Sequence, residues 1–139
     1  MPDIPYNRPG RRRQYLSITK HFFNAVNSYS KWVNVNIDRN TFDYADYGGH
    51  TLSPHAVAWI DDAGNLWGFM PNFTVVGTQK EQFGFFPKTI NETDEWHGYP
   101  VFPFITKRYN ISESLIKRWI SERYLDVDDI PSLVNKKKI

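Results

Sequence analysis

Cysteine is absent from the 139 residues. That removes disulfides, thiolate nucleophiles and every metal centre built on sulfur, zinc fingers and iron–sulfur clusters included. No apolar run approaches the roughly 18 residues that a membrane-spanning helix needs. Charge of one sign is lacking too: 17 Lys and Arg face 15 Asp and Glu, and a net +2 is too mild to imply nucleic acid by itself. There is no Gly-x-Ser-x-Gly elbow, no Gly-rich phosphate loop ending in Gly-Lys and no dinucleotide fingerprint. The opening residues, with Pro2, Pro5 and Pro9, contain no apolar segment of the secretory kind, so a cytoplasmic location is expected. Nothing in the sequence calls for a cofactor or a metal ion.

What the chain has in quantity is aromatic surface: 5 Trp, 8 Tyr and 10 Phe. Rings are efficient core material and are also enriched at binding surfaces. A chain of this length makes one domain, and burying 23 rings completely would strain it. Residues 1–10 read as an extended, Pro-rich basic arm, and residues 11–139 as a single α+β domain.

Within that domain, Tyr15, Ile18, Phe22, Val26 and Tyr29 recur at three- and four-residue steps, which predicts a helix from Arg11 to about Tyr29. Val33, Val35 and Ile37 alternate with Asn34 and Asn36, which predicts a half-buried strand, with a second across Thr41 to Tyr44. Val57–Ile60 and Leu66–Phe69 flank the Gly- and Asp-rich stretch 61–65, the pattern of a β-hairpin. Phe73–Val76 and Phe83–Phe86 are further strand candidates. An antiparallel, meander-like sheet of about four to six strands follows. Pro87, Pro100 and Pro103 make the next stretch a loop. Asn110 with Glu113 reads as a capping box before a helix whose apolar face is Leu115, Ile116, Trp119, Ile120 and Tyr124. Asp126–Val134 reads as a short closing helix or turn.

The basic residues are unevenly spread. Arg11, Arg12 and Arg13 sit together near the start, and Lys136, Lys137 and Lys138 at the end. Such clusters suit phosphate, which demands charge but little geometry. They equally suit a solvated, solubilising tail.

The residues Asn110, Ile111, Ser112, Ile116 and Trp119 are spaced as in one recurrent DNA-reading unit. The stretch 104–119 resembles the helix-turn-helix of transposases and resolvases. That resemblance implies that Glu113, Ser114, Lys117 and Arg118 would face DNA, with Ser112 near the start of the recognition helix. The plainer reading of the same residues is an amphipathic helix packed on the sheet, its Lys and Arg in water.

Of the four histidines, His50 and His55 lie close after Asp43 and Asp46, but their spacing fits no metal motif. His97 stands in a loop of Gly and aromatics. Metal-free RNA cleavage asks for a proton-moving group beside a cation that steadies phosphate charge. His97 or His50 with Arg108 or Lys88 could supply the pair, though ordinary hydrogen-bonded histidines account for them as well.

Three classes of function remain. The chain could bind nucleic acid through residues 104–119 and its basic ends. It could be a protein-interaction factor such as an immunity, anti-defence or virion component. It could be a small metal-independent ribonuclease. The sequence leans to a non-enzymatic binding protein, with nucleic acid slightly ahead of protein as partner.

Overall fold

Asn34 opens the first helix. Its extended backbone and its side chain, which accepts from the Ile37 amide at 2.8 Å, form an N-cap. Helix α1 follows as Val35–Tyr47 and ends where Gly48 takes a left-handed φ of 70°. This corrects the two strands expected at 33–37 and 41–44. The buried face of α1 is Asp38, Thr41, Phe42, Ala45 and Asp46, with Asp43 beside it. The spacing is helical, but half of the stripe is acidic. A search for apolar periodicity therefore sees only the accidental alternation of Val and Asn.

The structure is a computed structural model and describes residues 3–26, 29–51 and 57–135. It is α+β, with two small antiparallel sheets instead of one four- to six-stranded meander. Strands β1 (Ile4–Tyr6) and β2 (Tyr15–Ser17) form the first sheet, Tyr6 opposite Tyr15. Strands β3 (Leu66–Gly68), β4 (Phe83–Phe86) and β5 (Tyr99–Val101) form the second in sequence order. Helices α2 (Glu113–Ser121) and α3 (Ile130–Val134) complete the set.

The helix expected over 11–29 is instead β2 and a single 3-10 turn, Thr19–His21. Tyr15 and Ser17 both point inward while Val26 and Tyr29 are exposed, so the three- and four-step rhythm had no common face. The stretch Phe73–Val76 forms no strand; Phe73 closes a 3-10 turn begun at Pro71. Pro100, expected in a loop, sits in β5. That strand lies at the sheet edge, where a missing amide is tolerated. The hairpin across 57–69 is present. Ile60 bridges Leu66, and the Asp61 carboxylate accepts from the Ala63 and Asn65 amides at 2.9 Å each and from the Trp67 indole at 3.0 Å.

The three-stranded sheet has two buried faces. Leu66 and Phe86 turn to α1 and join Tyr15, Trp32, Phe42 and Trp96. Trp67, Phe83 and Phe85 turn the other way and meet Leu115 and Trp119 of α2, with Trp59 and Phe69. Gly68 and Gly84 stand opposite each other in the ladder. There they let α1 approach: a Cβ built on Gly68 would lie 2.3 Å from the Thr41 carbonyl oxygen. Gly68→Ala must lift α1 off the sheet, and a loss of about 1–3 kcal/mol in urea unfolding is expected.

Candidate functional site

The arginines of the N-terminal segment are the first surprise. Arg8 is only 4% exposed. Its Nε meets Asp43 Oδ1 at 2.8 Å and its Nη1 meets Asp46 Oδ2 at 2.7 Å. Arg11 and Arg13 converge on the same Asp46, at 3.0 and 2.8 Å. Tyr6 donates to Asp43 at 2.7 Å, and the Arg11 guanidinium lies 4.1 Å from the Tyr47 ring centre. Thus two of the three arginines expected to contact phosphate are spent on holding the arm, β1 and β2 to α1. Burial would push the Asp46 carboxyl up, but hydrogen bonds from Arg11, Arg13 and Arg8, with the Arg8 charge, hold it below the ordinary range.

Arg12 escapes this clasp. It is exposed and reaches Glu92 at 3.0 Å, also in solvent. With Arg13 and Lys88 it lines a cleft of about 440 Å³ whose walls include Ile60, Ile90 and the edge of Trp96. Lys88 is placed by its amide, which donates to Asn65 Oδ1 at 2.9 Å, and its stem packs over Gly64 of the hairpin turn. Ile90 is 95% exposed and Ile60 41%. Three cations, two open aliphatic side chains and one acid therefore meet at the junction of arm, hairpin and the loop after β4.

On the far side of that loop, Lys88 and His97 line a hollow of about 280 Å³ together with Asp94 and Glu95. His97 titrates below an ordinary histidine, first through lost hydration and then through the Lys20 charge. His50 is elsewhere, boxed by the rings of Tyr44, Trp59, Phe69 and Tyr124. Its Nε2 lies 2.9 Å from the Phe69 carbonyl, and burial depresses its pKa. Arg108 is over the rings of Phe85 and Tyr109. The residues of the cleavage reading thus fall in three places, with only Lys88 and His97 together. His55 lies outside the described residues, as do Lys136, Lys137 and Lys138.

Residues 104–112 contain one 3-10 turn, Lys107–Tyr109, so the segment carries one helix where the helix-turn-helix pattern has two. Asn110 closes that turn, and Ser112 takes the N-cap position without a side-chain bond to a helix amide, so the expected capping box is not formed. Ser114 donates to Asp62 at 2.8 Å. Arg118 bonds the carbonyls of Val57 and Ala58, and Glu122 at 2.7 Å. Lys117 and Glu113 pair with each other in solvent at 3.0 Å. Ser114 and Arg118 are therefore committed to holding the hairpin. Among the described residues, no three His, Asp or Glu are grouped to hold a metal ion, and no helix is long and apolar enough to cross a membrane.

A buried pair missed by sequence reading lies under β2. Tyr15 donates to Asp38, and both are essentially sealed. Loss of water raises the Asp38 carboxyl to about 7, against the opposing help of Tyr15, Ser17 and Arg39. Comparison of the chain with protein-family models, curated proteins and solved structures finds no match in any of the three.

Two predictions follow from these acids, of opposite sign. Asp46→Asn removes the charge three arginines share. It should cost on the order of 3–5 kcal/mol in urea unfolding and open the arm to trypsin at Arg11 and Arg13. For Asp38, the folded state binds a proton that the unfolded chain releases near pH 4. Its contribution therefore declines as pH rises from about 4 to about 7. Wild type should lose up to about 4 kcal/mol relative to Asp38→Asn across that window, measured as paired denaturation curves at several pH values.

Proposed function

We propose that the chain is a non-catalytic binding protein whose partner is a protein surface of mixed acidic and aliphatic character, taken up in the cleft between the arm, the hairpin and the loop after β4. The observation that carries this reading is the meeting of Arg12, Arg13 and Lys88 with exposed Ile60 and Ile90 around one cleft. Cations steer and orient an acidic partner, and desolvated aliphatic contact supplies affinity. The exposed Arg12–Glu92 pair is weak enough to be exchanged for a partner carboxylate.

Nucleic acid is the second reading. Its support is the exposure of Arg12, Lys88, Lys107, Arg108, Lys117 and Arg123. Against it stand the internal commitments of Arg11 and Arg118, two of the side chains that reading turns toward phosphate or bases.

Fluorescence anisotropy separates the two. A labelled peptide of Asp, Glu and Leu, single-stranded RNA and duplex DNA are titrated at low and moderate salt. Lys88→Glu with Arg12→Glu should weaken peptide binding at least about tenfold, and Ile90→Ser should weaken it alone. Nucleic-acid binding that falls steeply with salt and ignores Ile90→Ser would install the second reading. Failure of the peptide to bind at about 1 mM overturns the first. RNA cut in the same tubes would move Lys88 and His97 to a catalytic role.

A further inference from the structure

The loop that carries Ile90 is built, not loose. The Thr89 hydroxyl donates to the Asn91 carbonyl at 2.8 Å, and the Asn91 amide donates to the Asp94 carboxylate at 3.0 Å. The Asp94 amide returns to Asn91, and Lys88 is anchored to Asn65. A fully exposed isoleucine is thus presented on a self-bonded apex beside a lysine, where little ordering entropy stands against a contact.

A second hollow has the opposite character. It lies between the end of α2 and the start of α3, with a volume of about 530 Å³. Ile120, Tyr124 and Leu125 supply apolar wall, Val127 stands at its edge 60% exposed, and Asp126 and Asp129 supply acid against Arg123, the one cation among the described residues that line it. The capping box Asp126/Asp129 fixes the turn that carries both carboxylates. Asp128, exposed on the same turn, adds to the negative field.

We propose that this protein associates with a second copy of itself head to tail, the Ile90–Lys88 apex of one copy seated in the acidic groove between α2 and α3 of the next. The inference rests on the reading above that the cleft's partner is an acidic, aliphatic protein surface, and it names that surface. Ile90 meets Ile120, Leu125 and Val127, and Lys88 and Arg12 face Asp126 and Asp129. Apex and groove are different patches, so the contact is heterologous: in any open chain of copies each end keeps one unsatisfied face, and growth continues as a filament unless a ring closes.

Sedimentation equilibrium tests this over protein concentrations from about 10 μM to about 1 mM. The mean mass of wild type should rise with concentration, and less so at high salt. Ile90→Asp and Val127→Asp should each be monomeric and folded by circular dichroism, since both side chains lie at the surface. Mixed, the two variants should restore a one-to-one dimer and nothing larger, because one retains the groove and the other the apex. Wild type that stays monomeric overturns the proposal, and so does a mixture that stays monomeric while wild type associates. A monomeric wild type that still binds the acidic peptide removes self-association and leaves the cleft reading standing. Loss of both removes both.

Discussion

Asp46 receives three arginines, and much of the molecule is arranged around that fact. A carboxylate sealed under an arm of chain costs several kcal/mol in lost hydration, so it must be surrounded by donors to be tolerated. Arg8, Arg11 and Arg13 are those donors; Arg8 also donates through Nε to Asp43, which accepts from Tyr6 as well. One Arg8 nitrogen, Nη2, has no oxygen partner. The same guanidinium lies over the rings of Phe42 and Tyr47, so aromatic faces take part of its field. The arm is thereby fixed to α1 by charge, and α1 is fixed to the sheet by Phe42, Ala45 and the Gly68–Gly84 gap. Removing one member of such a set leaves buried charge behind, which is why the arm and the helix form one cooperative unit.

The clasp also decides what the surface can do. Counted along the chain, the first thirteen residues are strongly basic. Counted in space, most of that charge is cancelled against α1, and Arg12 alone of the cluster is turned outward. The cleft's positive character comes as much from Lys88, 76 residues away in sequence, as from the arm. Its apolar character comes from Ile60 and Ile90, which no charge count would single out. The acidic groove beside α3 has the same origin in turn chemistry. Asp126 and Asp129 are there to cap a turn, and their field is a consequence available to a partner.

Legibility in the sequence followed the source of each element's stability. The hairpin across 57–69 was readable because its reasons are local: β-prone residues on both sides and an Asp that organises its own turn. Helix α2 was readable because Leu115, Ile116, Trp119 and Ile120 make an apolar stripe that packs as such. Helix α1 was not, because Asp38, Thr41 and Asp46 replace apolar residues on the buried face, and the partners of the two acids lie more than twenty residues upstream. Strand β2 was misread because Tyr15 is inward for the sake of Asp38 and not as one step of a helical stripe. The eight-residue spacing of Asp38 and Asp46, set against a run of arginines, was the one available signal. It needed the idea that acids can form the buried face of a helix. The cleft itself was half visible: Arg12, Arg13 and Lys88 were each singled out, but for different chemistries and with no sign that they meet.

The aromatic load finds its account in the smallness of the sheet. Three strands of three or four residues bury little by themselves, and each face must be closed by large side chains. On the α2 face, Trp59 and Phe83 each pack on both Phe69 and Trp119, which also meet each other, at 4.8–6.0 Å ring centre to ring centre. On the α1 face, Tyr15, Phe42 and Phe86 do the same at 4.4–5.7 Å. Rings used this way are closed off inside the two cores, so most of the aromatic load is structural, with Phe23 and Tyr29 exposed outside them. What the two clusters do provide is a common footing: they take in Trp59 and Trp67 of the hairpin, Phe86 at the end of β4 and Leu125 of the α2–α3 turn. On the reading proposed above, recognition falls to the aliphatic and charged side chains at the tips of those turns, Ile60, Lys88, Ile90 and Val127, whose positions are set by the cores beneath them.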